Sequence, residues 1–440
     1  MAMAAILAAV YVLRYLLSPS GRRKSLNLPP GPRGWPVIGS LGALAGALQP
    51  HRVLAALAAR HGPLMHLRLG SYHTVVASSV DTARLVLKTH DLAFADRPRT
   101  AAGEVTSYGY LGIVHTPCGA YWRMARKLCA TELFSARRVD SFRRVREQEM
   151  RALVRGLQAE DEAVARSSRP LLREHPRRAR GTAAAGSSSR RRICATDLVD
   201  VLLQLAEDTQ TQESEASLPR DGVKAFIQDI IAGGTERSAV TIEWAISELL
   251  RHPEAMAAAT DELDRVVGSG RWVAEHDLPE LPYIDAVVKE TLRLHPVGPL
   301  LVPHHARQDT VVAGYDVPAG APVLVNAWAI ARDQASWPDA PDTFRPDWFL
   351  GASVDVRGAH FELLPFGSGR RICPAYDLAM KPVAGGVANL VHGFAWRLPD
   401  GVAPEDVSME DHVGLSTRRK VPLVAVAEPR LLAHLYAATE

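Results

Sequence analysis

"FGSGRRICPA", residues 366–375, places the last of four cysteines behind two glycines and two arginines, in a run opened by Phe366. Four roles fit Cys373 there: a buried structural thiol, a zinc ligand, half of a disulfide, or the ligand of something larger. Cys118, Cys129, Cys194 and Cys373 include no C-x-x-C pair, so a zinc knuckle is a poor reading. Four cysteines in 440 residues make no disulfide framework and suit reducing surroundings. Cys118, Cys129 and Cys194 read as packing residues.

Working outward, the totals describe a large core. With 47% apolar residues, the chain suits one big domain or two medium ones. A net charge of +3 gives no global sign of nucleic acid, and none is expected as a partner. The N-terminus reads "MAMAAILAAVYVLRYLL", apolar apart from Arg14, and a basic cluster of Arg22, Arg23 and Lys24 follows. A secretory signal carries its charge ahead of the apolar run. The reverse order predicts a single weak membrane anchor at 1–20, with the bulk of the chain on the cytoplasmic side. Residues 21–36 form a basic, proline-rich hinge, since "LPPGPRGWP" suits neither helix nor central strand.

Beyond the hinge, residues 37–440 read as one domain, mainly α with a small β region. "HRVLAALAARHG" and "DTARLVLKTH" have helical periods, "LMHLRLG" and "HTVVASS" alternate, and 311–327 reads as short strands around turns. Residues 158–193 are expected to be irregular: their later part is arginine-rich, with almost no apolar period and no aromatic residue for stacking on bases.

Gly367 and Gly369 let the backbone ahead of Cys373 approach a large flat ligand closely. Neighbouring N–H groups can bond the sulfur and so tune a metal bound to it. A haem held by one cysteine needs a thiolate, a cation for a propionate and a shaped loop, and Arg370 and Arg371 supply the charge. Phe366, Gly369, Arg371 and Cys373 resemble the F-x-x-G-x-R-x-C-x-G signature of the cytochrome P-450 monooxygenases. Ala375 stands in place of the last glycine.

Further stretches resemble the family in its own order. "KETLRLHP" is similar to the E-x-x-R helix, with Glu290 and Arg293 on one face. Ile284, Val287, Val288, Leu292 and Leu294 flank the pair, which implies that it is buried and must be fully hydrogen-bonded. "YWRMARKLC" resembles the W-x-x-x-R helix, where the resemblance implies that Trp122 and Arg126 face a haem propionate. "AGGTERS" resembles the oxygen-side helix of plant members, which assigns Gly233, Gly234, Thr235, Glu236 and Ser238 to the catalytic region. Two glycines in a helix cost about 1 kcal/mol each against alanine. Either close helix packing or room above a metal explains them.

The resemblance runs from residue 28 to about residue 430, on the pattern of the plant microsomal class that includes flavonoid 3'-hydroxylase-like enzymes. It implies haem b with Cys373 as axial ligand, and electrons from NADPH through a flavoprotein reductase. It also implies a small apolar or phenolic metabolite as substrate, one oxygen atom from dioxygen inserted into it, and a place on the endoplasmic reticulum membrane. Residues 106–119, 297–304 and 414–417 align with the family's substrate-contacting stretches.

Three departures bear on activity. Arg237 replaces a threonine whose hydroxyl assists proton delivery. Trp348 replaces the arginine that completes the family's network with Glu290 and Arg293, and Arg345 is the nearby substitute. Between 158 and 193 the chain is shorter than its family, which carries several helices there, including those that roof the pocket. These departures keep two alternatives open: a peroxide-rearranging isomerase or dehydratase on the same fold, and a catalytically impaired haem-binding product.

Overall fold

The alternation at 64–77 forms an antiparallel hairpin in the computed structural model, which describes residues 26–46, 49–164, 198–210 and 217–436. Helix α1, Pro50–His61, precedes it, opened by a proline where a missing N–H costs nothing. Strand β1, Leu64–Leu69, pairs with β2, Tyr72–Ala77. "DTARLVLKTH" is helical as expected: Ser79 caps Val80–Arg84, and the chain continues as a π-helical segment, Leu85–Thr89.

Longer helices follow: α2 Ala120–Leu128, α3 Arg143–Val164, α4 Leu198–Gln210, α5 Arg220–Arg251, α6 Pro253–Val266 and α7 Pro282–Leu294. Short strands come next: β3 His304–His305, β4 Thr310–Val312, β5 Tyr315–Val317 and β6 Pro322–Val325. Helix α8, Tyr376–Gly393, starts just after Cys373. Four strands that carry no clear alternation close the chain: β7 Phe394–Arg397, β8 Asp411–Val413, β9 Thr417–Arg419 and β10 Val426–Pro429.

The main sheet has the order β1-β2-β6-β3, with β6 parallel to β2. The helical core joins α5 (Ala245, Leu249), α6 (Ala259, Leu263), α7 (Val287, Val288) and α8 (Val387, Val391) in one cluster of buried residues. Helices α5 and α8 approach closely where a Cβ on Gly386 would come 2.6 Å from Ile242 Cδ1.

The expected irregular stretch at 158–193 begins too early, because α3 continues to Val164. "QAEDEAV" is made of good helix formers, so nothing in it stops the helix. The rest of that stretch, the anchor at 1–20, the basic cluster at 22–24 and Cys194 lie outside the described residues. Within the hinge, residues 26–34 form neither helix nor strand, and Trp35 bridges to Gly39. Among the described residues no helix is long and apolar enough to cross a membrane.

Candidate functional site

The loop before α8 is closed by its own backbone. Cys373 N–H donates to Phe366 O at 3.0 Å, and Gly367 N–H to Leu364 O at 3.1 Å. Gly369 has φ 68°, and a Cβ there would overlap the Leu87 carbonyl, so a side chain is excluded on both counts. Phe366 lies partly buried, its ring 6.4 Å from that of Tyr376. Burial pushes the Cys373 thiol up, while the Ala375 N–H and the charges of Arg126 and Arg237 pull it back. Ala375 sits at φ −112°, which any residue adopts, so its methyl adds no backbone strain.

Three arginines and a histidine converge beside this loop. Arg126 Nη1 donates to Ile372 O at 2.8 Å, next to Cys373. Arg371 donates to Ala95 O at 2.6 Å and Thr116 O at 2.7 Å, and its guanidinium lies 4.5 Å over the Trp122 ring. Arg97, which carried no signal in the sequence, donates to Val302 O at 2.7 Å and Pro303 O at 2.9 Å. Burial, then the charges of Arg371 and Arg126, lower Arg97 to about 9. Burial and the charge of Arg97 lower His304 to about 3. None of the three arginines has a salt bridge among the described residues. Asp96, whose charge acts on Arg371, accepts the Cys118 N–H and pairs with Arg307 at 3.6 Å. Arg370 turns away and pairs with Asp91 at 3.0 Å. Trp122 Nε1 and Arg371 Nη1 are buried with no hydrogen-bond partner. Such a cluster fits the two carboxylates of a haem, which would answer both the charge and the idle donors.

Helix α5 brings "AGGTERS" to the same region. A Cβ on Gly233 or Gly234 would meet nothing within 4 Å, so close helix packing does not explain these glycines. The Thr235 hydroxyl donates to Ile231 O at 2.7 Å and that of Ser238 to Gly234 O at 2.9 Å, so both protons are turned back onto the helix. The Glu236 side chain is half-buried. Arg237 reaches toward the segment after α7: its Nη1 would lie 3.7 Å from a Cβ on Gly298. Its Nε is buried and unpartnered.

Glu290 and Arg293 are fully buried, as their apolar neighbours imply. Arg293 Nε and Nη2 grip the carboxylate at 2.6 and 2.7 Å. The remaining guanidinium hydrogens go to Ala331 O, Pro341 O and Thr343 O. The side chain of Arg345 does not replace the missing arginine. Its backbone N–H donates to Glu290 Oε1 at 2.7 Å, and its guanidinium lies 4.8 Å over Trp348. Trp348 in turn meets Trp337 edge-on at 5.9 Å. Carbonyls and one amide therefore complete the network.

Cys129 is fully buried, with its thiol pushed up to about 12 by burial, as a packing residue should be. A cavity of about 810 Å³ lies away from Cys373, between α3, α8 and residues 271–278.

The comparisons agree with this geometry. A profile of the family described as Cytochrome P450 matches residues 29–175 and 180–424. Two relatives from Zea mays cover 99% of the chain: a dimethylnonatriene synthase, 67% identical over 98% of its own length, and a trimethyltridecatetraene synthase, 66% identical over 94%. A flavonoid 3'-monooxygenase of Oryza sativa subsp. japonica is 37% identical, over 98% of the chain and 97% of its own length. The first alignment runs over 524 positions against a chain of 440 residues, so that relative carries segments this chain lacks. A solved zebra fish cytochrome P450 with progesterone superposes with a TM-score of 0.72 at 25% identity, covering 87% of this chain and 99% of that one.

Proposed function

The chain belongs to the cytochrome P450 family, and from that premise we propose that Cys373 would hold a haem b through its thiolate, at the site that the Cys373 loop and α5 form. Bound there, the haem supplies the oxygen activation by which the family's monooxygenases oxidise small molecules. The protein's part is to hold and shape. Arg97, Arg126 and Arg371 would take the propionates, with uncharged His304 beside them, and Trp122 packs under Arg371. The observation that carries this reading is the convergence of those three guanidinium groups beside Cys373, none of which has a salt bridge among the described residues. Gly233 and Gly234 leave space on the α5 side. Thr235, Glu236 and Ser238 lie on the same stretch of α5, and with both hydroxyls donating to their own helix the Glu236 carboxyl is the group left to move a proton.

Electrons come from NADPH through a flavoprotein reductase at the endoplasmic reticulum membrane, to which residues 1–20 attach the domain. The substrate is a small apolar plant metabolite. The names of the two maize relatives, which describe acyclic branched polyenes, favour an acyclic terpenoid over a flat phenolic. Arg237 supports a second reading, rearrangement of a hydroperoxide, because that chemistry needs no hydroxyl at this position.

The test is a carbon monoxide difference spectrum of the reduced protein. A thiolate-type Soret band that is lost in Cys373→Ser and kept in Cys129→Ser is expected. A band that survives without Cys373 refutes the assignment. Turnover of a fatty-acid hydroperoxide without NADPH would select the second reading.

A further inference from the structure

We propose that Trp244 and His295 are positioning residues for substrate specificity, joining the segment 297–301 and the turn 414–417 into one wall of the pocket. The inference rests on the function proposed above and on the expectation that 297–304 and 414–417 contact the substrate. Gly298 faces Arg237, and a Cβ on Gly367 would lie 3.7 Å from Leu301 Cδ1. At the tip of the turn, Leu415 is 63% exposed.

Behind that wall runs a continuous chain of contacts. Arg237, Thr241, Trp244 and Glu248 follow at three- and four-residue spacing along one face of α5. Trp244 is fully buried, and its ring stacks on His295 at 4.0 Å with only 4° between the planes. His295 ends α7, and its Nε2 lies 2.6 Å from Glu248 Oε1. The other Glu248 oxygen faces His252 Nδ1 at 3.4 Å. The stack is therefore anchored to α5 twice, through the indole and through the carboxylate.

The front of the indole does the joining. Trp244 Nε1–H donates to Thr417 O at 3.1 Å, and Thr417 N–H donates to Val297 O at 3.0 Å. One residue, Thr417, thus ties the turn both to α5 and to the segment leaving α7. Val297 packs on Trp244 and Val240 in a small cluster of its own. Arg419, 5.4 Å over the indole and 3.7 Å from Glu243, holds the strand after the turn. If the indole donor is lost, the Thr417 carbonyl is left buried and unpaired, and the two stretches can move apart. The consequence falls on ligands that touch the wall, not on those that need only the iron.

The experiment uses the full chain with haem and the variant Trp244→Phe, which keeps a ring against His295 and removes the donor. Spin-state titrations are run with farnesol, an acyclic terpenoid alcohol, with naringenin, a flat flavanone, and with imidazole, which needs only the iron. Amide hydrogen exchange is followed at Thr417. A loss of roughly tenfold in affinity for the compound that binds, with imidazole unchanged, is expected from one buried acceptor left unpaired. Exchange at Thr417 should speed up. Parallel losses for substrate and imidazole would mean general loosening and overturn the proposal. So would unchanged affinity, or the failure of both compounds to bind the parent protein. A parent chain without the thiolate band would refute the haem assignment separately, and the Thr417 exchange would still decide whether Trp244 locks the turn.

Discussion

Arg97 spends its hydrogen bonds on three carbonyls, of Val114, Val302 and Pro303, and keeps its charge unanswered, with Arg371 and Arg126 adding to the strain. An anion is the natural partner for such a group, so Arg97→Gln should speed haem loss by roughly tenfold or more, the worth of one charged hydrogen bond or two. Transfer of haem to apomyoglobin measures this. Arg370→Gln is the control: Arg370 pairs with Asp91 near the surface, and its loss should leave retention unchanged. Arg237 concerns the use of electrons. Its guanidinium cannot relay a proton, and the Thr235 and Ser238 hydroxyls point their protons at their own helix. Supplied with a reductase, the chain should therefore send much of its NADPH consumption to peroxide, and Arg237→Thr should raise product per NADPH by about tenfold or more, part of the ~10²–10⁴ that general acid assistance supplies. An unchanged ratio would mean that another group already serves. Arg237 stood out in the sequence because it breaks a motif. Arg97 did not, because its partners Val302 and Pro303 lie more than 200 residues away and no spacing announces them.

At the scale of helices, the pair on α7 shows what apolar flanks reveal and what they conceal. Burial of Glu290 and Arg293 was legible from Ile284, Val287 and Val288 around them. The identity of the remaining partners was not, because backbone carbonyls leave no trace in side-chain chemistry. With every guanidinium hydrogen of Arg293 engaged, Trp348→Arg should not stabilise the fold. It would bring another cation next to Arg345 and remove the edge contact with Trp337, so the urea midpoint should stay level or fall. Glu290→Gln, which strips the countercharge from a buried arginine, should cost about 3–5 kcal/mol. At the far end of α5, burial pushes the Glu248 carboxyl up, and His252 and His295 overcome it, taking it from an ordinary 4.5 to about 2. The unfolded chain then takes up the proton first. Stability from this group is intact above pH ~4.5 and falls toward pH ~2, by at most ~1.4 kcal/mol per unit. Glu248→Gln should flatten that acid limb in urea titrations, and an unaltered slope would count against the ion pairing.

For the whole molecule, the class of fold was readable because long helical periods and a few short alternating runs are local signals. The β7–β10 strands were missed because each is three or four residues long, too short for a period to show, and no run of glycine and proline as dense as that of Gly314, Pro318, Gly320 and Pro322 around β4–β6 spans their turns. The proposed attachment of residues 1–20 to a membrane is tested on the entire chain: deleting residues 1–25 should shift the protein from the pellet to the supernatant of a membrane sedimentation assay. A deleted form that stays in the pellet would move the contact to the domain itself. The parallel pairing of β2 with β6 has a further consequence, for the order of synthesis. Val75 meets Val323 and Ala77 meets Val325. A ribosome releasing the chain from its N-terminus must therefore hold the β1–β2 hairpin with one edge unpaired until residue 325 has emerged. Contacts so distant in sequence form late and slowly. At ordinary elongation rates of about 5–20 residues per second, that edge waits for tens of seconds. Chaperone capture during translation should concentrate in that interval and end once β6 is released.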